Sequence, residues 1–288
     1  MKSRKFTKQN HAVAGVIEAL LLVGLVAVIL SVIQFYYIPE VMTQREAEHM
    51  DEVANQFSFL KAIIDLQSIE KKDVPISSPI TLGSRELPYF VTGRALGEIR
   101  VIENAGNISD GYDKISFRIP LTSIEYTAFN AYYLRDKGPI IIYTLEGGAI
   151  ILKQPDGEQV IIEPTIKVTV DDSINIYYEI PIIIGISGKT SSPQDYKTCF
   201  VRTNYSDKLD DEGHYTFQYN MTISTNYVDA WSKMLNNITN LANNVNISKN
   251  SNSVVIKKLP ESTKEIKLYY KKNYIYAQIS PGWIKILK

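Results

Sequence analysis

The chain carries three histidines and one cysteine, the side chains best suited to nucleophilic or metal chemistry, and their spacing suits neither. His11 precedes a long apolar run, His49 lies in an acidic segment, and only His214 falls in the same part of the chain as Cys199. A thiol nucleophile needs a base beside it, so Cys199 with His214 is the one pairing to test. A small buried hydrophobe is the favoured reading of Cys199. One cysteine excludes an intrachain disulfide, and with three scattered histidines it excludes the usual zinc spacings. The hydrolase elbow G-x-S-x-G, the zincin H-E-x-x-H and the phosphate loop do not occur in the sequence. These observations point away from an enzyme and call for no cofactor.

Oxygen-rich stretches offer the remaining chemistry. Asn104, Asn107, Asp110 and Asp113 form one, and Asp207, Asp210, Asp211 and Glu212 another. Ligands of this kind suit Ca²⁺, but neither set has EF-hand spacing, and a solvated acidic turn explains both. Acceptor motifs N-x-S/T occur at Asn107, Asn204, Asn220, Asn237 and Asn246, which predicts glycosylation on an exported domain. The tyrosines include the pairs Tyr132-Tyr133, Tyr177-Tyr178 and Tyr269-Tyr270. Neighbours in a strand face opposite sides, so one ring of each pair is available to bind a sugar; ordinary β propensity is the plainer explanation. Lys plus Arg number 31 and Asp plus Glu 31, which leaves no electrostatic case for nucleic acid.

What must position these groups begins at a membrane. Ala12 to Ile33 reads AVAGVIEALLLVGLVAVILSVI, and as a helix rising 1.5 Å per residue it spans roughly 33 Å, the thickness of a hydrocarbon core. Lys2, Arg4, Lys5 and Lys8 precede it with no acid among them, and Glu40, Glu46, Glu48, Asp51 and Glu52 follow it, with Arg45 as the nearby base. Basic flanks stay cytoplasmic, so the expected topology is single-pass, with the basic end cytoplasmic and the C-terminal part extracellular. Phe35, Tyr36 and Tyr37 suit the outer aromatic belt. A cleaved signal peptide is the rival, but the run is long for one and leads into QFYYIPEV without an A-x-A site. Gly15, Ala19, Val23, Ala27 and Ser31 recur every fourth residue, a stripe of mostly small side chains of the kind on which helices pack in lipid. Glu18 is the sole charge in the run. A carboxylate about two turns into a bilayer costs a few kcal/mol unless it is protonated, snorkels or meets a cation.

These residues resemble the N-terminal segment of archaeal type IV pilin-like proteins, which have a short basic leader, a small residue at the processing site, then an apolar helix. In that family a prepilin-type peptidase cuts after a Gly or Ala that follows Lys or Arg. The matching place here is His11-Ala12, ahead of Val13-Ala14, with His where the family has Lys or Arg. The resemblance implies processing at Ala12 and Val13. Bacterial relatives keep a Glu near the mature N-terminus that pairs with the terminal amine of the next subunit, and Glu18 is similar in kind. It stands beside Gly15 and Ala19 in what would be the assembly face. The partners implied are the lipid bilayer, other pilin-like subunits and the peptidase. The stretch with Tyr143, Glu146, Gly147, Gly148, Ala149 and Ile150, then Gln154 and Gly157, is similar to uncharacterised archaeal envelope proteins and implies no activity.

Pro39 is expected to interrupt the helix as it leaves the bilayer. Met50, Val53, Phe57, Leu60 and Ile64 then follow 3-4 spacing, flanked by polar residues that include Glu46, Gln56 and Lys61. That pattern predicts an amphipathic stem helix over 39–72. From about residue 76 the period switches to two, with strands expected at 97–103, 114–120, 139–145, 149–153, 158–163, 166–170 and 173–186. Gly147-Gly148 reads as a turn or bulge, Pro155-Asp156-Gly157 as a hairpin, and PIIIGI at 181–186 as a buried central strand. Residues 187–222 are polar and read as loops. A helix follows near 228–244 with Trp231, Leu235, Ile238 and Ala242 inward. Strands are then expected at 253–257, 265–270, 274–279 and 283–287, with Lys271-Lys272-Asn273 as a hairpin turn.

The fold class expected is α+β. A leader at 1–11 and a transmembrane helix at 12–38 continue into the stem. A mainly antiparallel, β-sandwich-like ectodomain follows over 76–226, completed by a helix and a small antiparallel sheet at 227–288. The first functional expectation is a non-catalytic, pilin-like subunit of the cell surface or envelope, assembling through its N-terminal helix. The second is a monomeric anchored ectodomain that binds a glycan or a protein partner, and the third a tethered enzyme with a cleft near His214.

Overall fold

The computed structural model describes residues 9–85, 93–111, 117–134, 136–260, 262 and 264–279. It opens on α1, Gln9–Val32, exposed throughout from Val13 to Val32. Among the described residues this helix is the one long and apolar enough to cross a membrane, and no protein covers its apolar window. A π-helical turn, Ile33–Tyr37, leads directly into α2, Ile38–Glu70. Pro39 therefore does not interrupt the helix. The Ile38 N–H reaches back to the Ile33 carbonyl, a longer step that widens the turn where proline has no N–H to offer. α2 ends at Lys71, which adopts φ 54° and donates its N–H to the Gln67 carbonyl.

One face of α2 is buried. Met50, Val53, Phe57, Leu60 and Ile64 all lie on it, and the same face runs down through Met42 to Ile38. Glu46 and Lys61, expected among the solvated flanks, are buried as well. Lys61 is neutralised one turn away by Asp65 at 2.6 Å.

The strands are β1 (Ile76–Thr81), β2 (Leu96–Ser109), β3 (Arg118–Phe129), β4 (Ile140–Glu146), β5 (Ala149–Gln154), β6 (Gly157–Ile162), β7 (Ile166–Val170), β8 (Ile174–Gly185), β9 (Thr198–Phe217), β10 (Asn220–Ser224), β11 (Val245–Asn250), β12 (Ser253–Lys258) and β13 (Ile266–Ile279). Two short helices, α3 (Val228–Asn237) and α4 (Thr239–Ala242), separate β10 from β11. A five-stranded sheet runs β1-β9-β13-β8-β7, and an eight-stranded sheet runs β11-β12-β10-β2-β3-β4-β5-β6. β8 and β13 pair in parallel; the other pairings are antiparallel. Register shifts at Ile102/Gly106, Ile150/Ile151 and Lys272/Tyr274 mark bulges, which bend strands and curl the sheets.

Both sheets contribute to each of two apolar clusters. Ile108, Leu121 and Ile151 of the larger sheet meet Ile176 and Leu268 of the smaller, with Trp231 of α3 among them. Ile99, Ile124 and Tyr126 likewise meet Val201 and Ile275, this time around Phe57 of α2.

Several expectations change. Residues 198–217 are not loop but the longest strand, β9. Cys199, Val201, Thr203 and Tyr205 point inward there while Thr198, Phe200, Arg202 and Asn204 do not, an alternation masked in sequence by the acidic run that follows. Lys271-Lys272-Asn273 is not a turn. These residues lie within β13, flanked by Glu179 of β8 and by Asp211 and Glu212 of β9; Lys272 is ion-paired with Asp211, and Asn273 is buried. β3 extends to Phe129 because Thr122, Ser123, Glu125 and Thr127 are buried polar residues, which spoils a polar/apolar alternation. The C-terminal strands do not share one sheet: β11 and β12 extend the larger sheet and β13 lies inside the smaller. Of the PIIIGI tract, Pro181, Ile182 and Ile183 are buried and Ile184–Ile186 half-buried. The expected strand at 283–287 lies outside the described residues.

Candidate functional site

The anchor residues come first. Val13, Gly15, Glu18 and Ala19 are exposed on α1, and a Cβ built at Gly15 would meet nothing within 4 Å. The whole stripe is thus open to lipid or to another helix. The basic residues at 1–8 and the side chain of Ala12 lie outside the described residues.

Above the π turn, polar side chains lock α2 to the β domain at several heights. Glu46, fully buried, accepts the backbone N–H groups of Ala131, Tyr132 and Tyr133 at 3.0, 2.8 and 2.7 Å. Three consecutive donors form a cradle for a carboxylate. His49 places Nε2 2.9 Å from the Thr81 carbonyl, so Nε2 carries the hydrogen. Burial is the main influence on its pKa and pulls it below the usual value. Gln56 accepts the Thr81 N–H and donates to the Thr81 hydroxyl, and Gln67 donates to the carbonyls of Val74 and Thr203. Sequence reasoning placed Glu46 and Gln56 on the polar flank. The signal it missed is spacing: residues 46, 53, 60 and 67 recur every seventh position along the buried face.

A second polar cluster lies under α3. Glu146, the last residue of β4, accepts hydrogen bonds from the Thr225 hydroxyl at 2.6 Å and the Trp231 indole at 2.9 Å. Its other oxygen is buried without a partner. Burial pushes its pKa up to about 7; the two hydrogen bonds oppose that rise, and the charges of Glu125 and Glu158 add to it. Glu125, on the neighbouring strand β3, is held by Arg100 and by the Tyr227 hydroxyl at 2.6 Å. Paired carboxylates of unequal acidity can do acid–base chemistry. These two are 0% and 5% exposed, so a substrate has no route to them, and the cluster fastens α3 to the sheet instead. The Gly147-Gly148 turn beside it, φ 55° and 83°, receives the Tyr178 hydroxyl on the Gly147 carbonyl at 2.6 Å.

The remaining candidates separate. Cys199 is buried opposite Ile80, and His214 is exposed opposite Tyr269, near the other end of β9. Counted along β13, which pairs with β9 across its register shift, they are about twelve positions or on the order of 40 Å apart, which rules out the thiol–base pair. Asn104, Asn107 and Asp110 sit on or just after β2 rather than around a loop, and Asp110 accepts the Tyr215 hydroxyl; Asp113 lies outside the described residues. Asp211 pairs with Lys272, and the side chains of Asp207 and Asp210 are not described. No group of three or more potential metal ligands occurs among the described residues. Tyr177, Tyr269 and His214 form a row across β8, β13 and β9, with ring centroids 4.9 and 5.8 Å apart and planes within 14° and 27°. The rings cover one another, so open faces remain only at the two ends of the row. Of the acceptor motifs, Asn237 and Asn246 are exposed while Asn107, Asn204 and Asn220 are half-buried.

Comparison with protein-family models, with curated proteins and with solved structures returned no match to this chain.

Proposed function

We propose that the chain is a membrane-anchored, non-catalytic envelope or surface subunit of the pilin-like kind. In this reading the basic end is cytoplasmic and the sandwich-like β domain outside, carried on an amphipathic stem. One observation supports it above the rest: a continuous helix from Gln9 to Glu70 that is bare over its apolar part and hydrogen-bonded to its own β domain over the remainder. A bare helix of this kind has two possible solvents, lipid or other helices, and the stripe of Gly15 and Ala19 beside Glu18 suits both. Processing between Ala12 and Val13 by a prepilin-type peptidase would leave an amine for the Glu18 of a neighbouring subunit.

Two measurements on the protein in its native membrane test this. N-terminal sequencing should begin at Val13. Crosslinked oligomer yield should fall in Glu18→Leu at equal expression; equal yields, or no oligomer in either, would remove the assembly role. A monomeric ectodomain that binds a glycan is the second reading, favoured by the Tyr177–Tyr269–His214 row, which is exposed at its two ends. Saccharide binding by monomeric full-length chain, lost in Tyr177→Ala, would establish it.

A further inference from the structure

We propose that the smaller sheet binds one uncharged sugar ring on the face of Tyr177 that turns toward β7, with Glu179 and Lys167 holding its hydroxyl groups. The proposal rests on the glycan-binding reading and adds to it which end of the aromatic row is used and which class of saccharide fits.

The site stands on a fixed strand. Successive side chains of β8 face opposite sides of the sheet. Tyr178 points inward and is buried, and its hydroxyl donates to the Gly147 carbonyl at 2.6 Å. A Cβ built at Gly148 would fall 3.3 Å from Pro181 and 3.8 Å from Pro164, so this turn packs against β8 and against the residues that lead into β7. Tyr177 and Glu179, on either side of Tyr178, are thereby held outward, and both are exposed. On β7, Lys167 stands directly opposite Tyr177, and the Thr165 carbonyl accepts the Glu179 N–H at 3.2 Å. Together with Thr169 these residues line a cavity of about 470 Å³, within the size range of small-ligand sites.

One face of the Tyr177 ring is open there. The strand order is β13-β8-β7. On the β13 side Tyr269 is stacked on the ring at 4.9 Å, and His214 in turn covers Tyr269. On the β7 side no second ring or cation is stacked on Tyr177 among the described residues, and Tyr177 remains 43% exposed. An aromatic face is electron-rich and attracts the positive edge of C–H bonds. The C–H bonds along one side of a pyranose ring present such an edge.

The charges beside the ring select among occupants. No ion pair or side-chain hydrogen bond among the described residues engages Lys167 or Glu179. A cation drawn to the ring and to Glu179 would stand beside Lys167, and an anion drawn to Lys167 would stand beside Glu179. An uncharged ring bearing hydroxyls meets neither repulsion. Its hydroxyls donate to the carboxylate and accept from the ammonium, and hydrogen bonds to ionised partners are the stronger kind. Because the backbone beneath is already ordered, little freedom is lost on binding.

The test uses full-length chain in a polyoxyethylene detergent, which carries no sugar headgroup. Saturation-transfer NMR reads binding of the methyl glycosides of glucose, galactose, mannose and N-acetylglucosamine. We expect at least one to bind, Tyr177→Ala and Glu179→Gln each to weaken it several-fold, and Tyr177→Phe and His214→Ala to leave it unchanged. Should Tyr177→Ala melt below the wild type, Glu179→Gln decides, since it keeps the shape of an exposed side chain. Binding that His214→Ala abolishes, or that survives both Tyr177→Ala and Glu179→Gln, overturns this site and leaves the glycan reading standing. No binding of any of the four to wild type overturns both. Tetramethylammonium bound by wild type and lost in Glu179→Gln, with no saccharide bound, would assign the cavity to a cation and overturn the saccharide assignment.

Discussion

Glu146→Gln should stabilise the protein at alkaline pH and flatten its pH dependence. A carboxyl with a folded pKa near 7 and an unfolded value near 4.3 holds a proton in the folded state that the unfolded chain has released. Stability then falls as pH rises from the unfolded value through the folded one, and is level above it. Integrated, the loss is on the order of 2–3 kcal/mol between pH 5 and 8.5, of which less than about 1 kcal/mol falls above pH 6.5. His49 acts in the opposite direction. Its folded pKa is depressed by burial, so it removes stability as pH falls below about 6.5. His49 still offsets part of the loss just above pH 6.5, but it is common to both proteins, so the difference between wild type and Glu146→Gln isolates Glu146. Glutamine keeps an acceptor for Thr225 and Trp231 and carries no charge to desolvate. The assay is urea unfolding of the full chain in micelles at several pH values, followed by fluorescence of the buried Trp231. We expect wild type to lose stability between pH 6.5 and 8.5 and Glu146→Gln to lose less. Parallel curves for the two proteins, or a wild type that gains stability over that window, would refute the argument.

Other positions give sharper local tests. Glu46→Ala leaves three N–H groups without their acceptor and should cost at least about 3 kcal/mol; amide exchange at Ala131–Tyr133 should accelerate first. Gly147→Ala forces a side chain into φ 55° with its Cβ 2.5 Å from the Tyr178 hydroxyl, and a loss of about 2–3 kcal/mol in urea unfolding is expected. Glycopeptide mass spectrometry of protein from its own membrane should find sugar on Asn237 and Asn246. Asn204 and Asn220 should be unmodified, since their amides are directed to Asp73 and Thr222.

Apolar periodicity carried most of what was legible in the sequence. The bare helix, the buried stripe from Met50 to Ile64, the hairpin at Pro155–Gly157 and the inward Trp231 and Leu235 were all visible as spacing. What was hidden shares one cause, buried polar groups whose partners are remote in sequence. Glu46 finds its donors at residues 131–133, Thr122 accepts the Ile183 N–H, and Lys272 meets Asp211 across strands. Each of these reads as surface until the partner is known, so in sequence β9 resembles a loop and β13 a hairpin. The helix end near Ile238, where ψ turns to 94°, carries neither glycine nor proline to mark it.

Those same polar partners decide how the helix moves with its domain. Apolar contact alone is nearly indifferent to a one-turn slide, because side chains three and four positions apart replace one another on the same face. Hydrogen bonds are not. A slide of α2 by one turn, about 5.4 Å, would withdraw Glu46 from three N–H groups, Gln56 from Thr81 and Gln67 from two carbonyls at once. The groups left behind are part-buried or buried, where unmet donors and acceptors are costly. A load applied to α1 is thus passed to the β domain through fixed register instead of being lost in slippage.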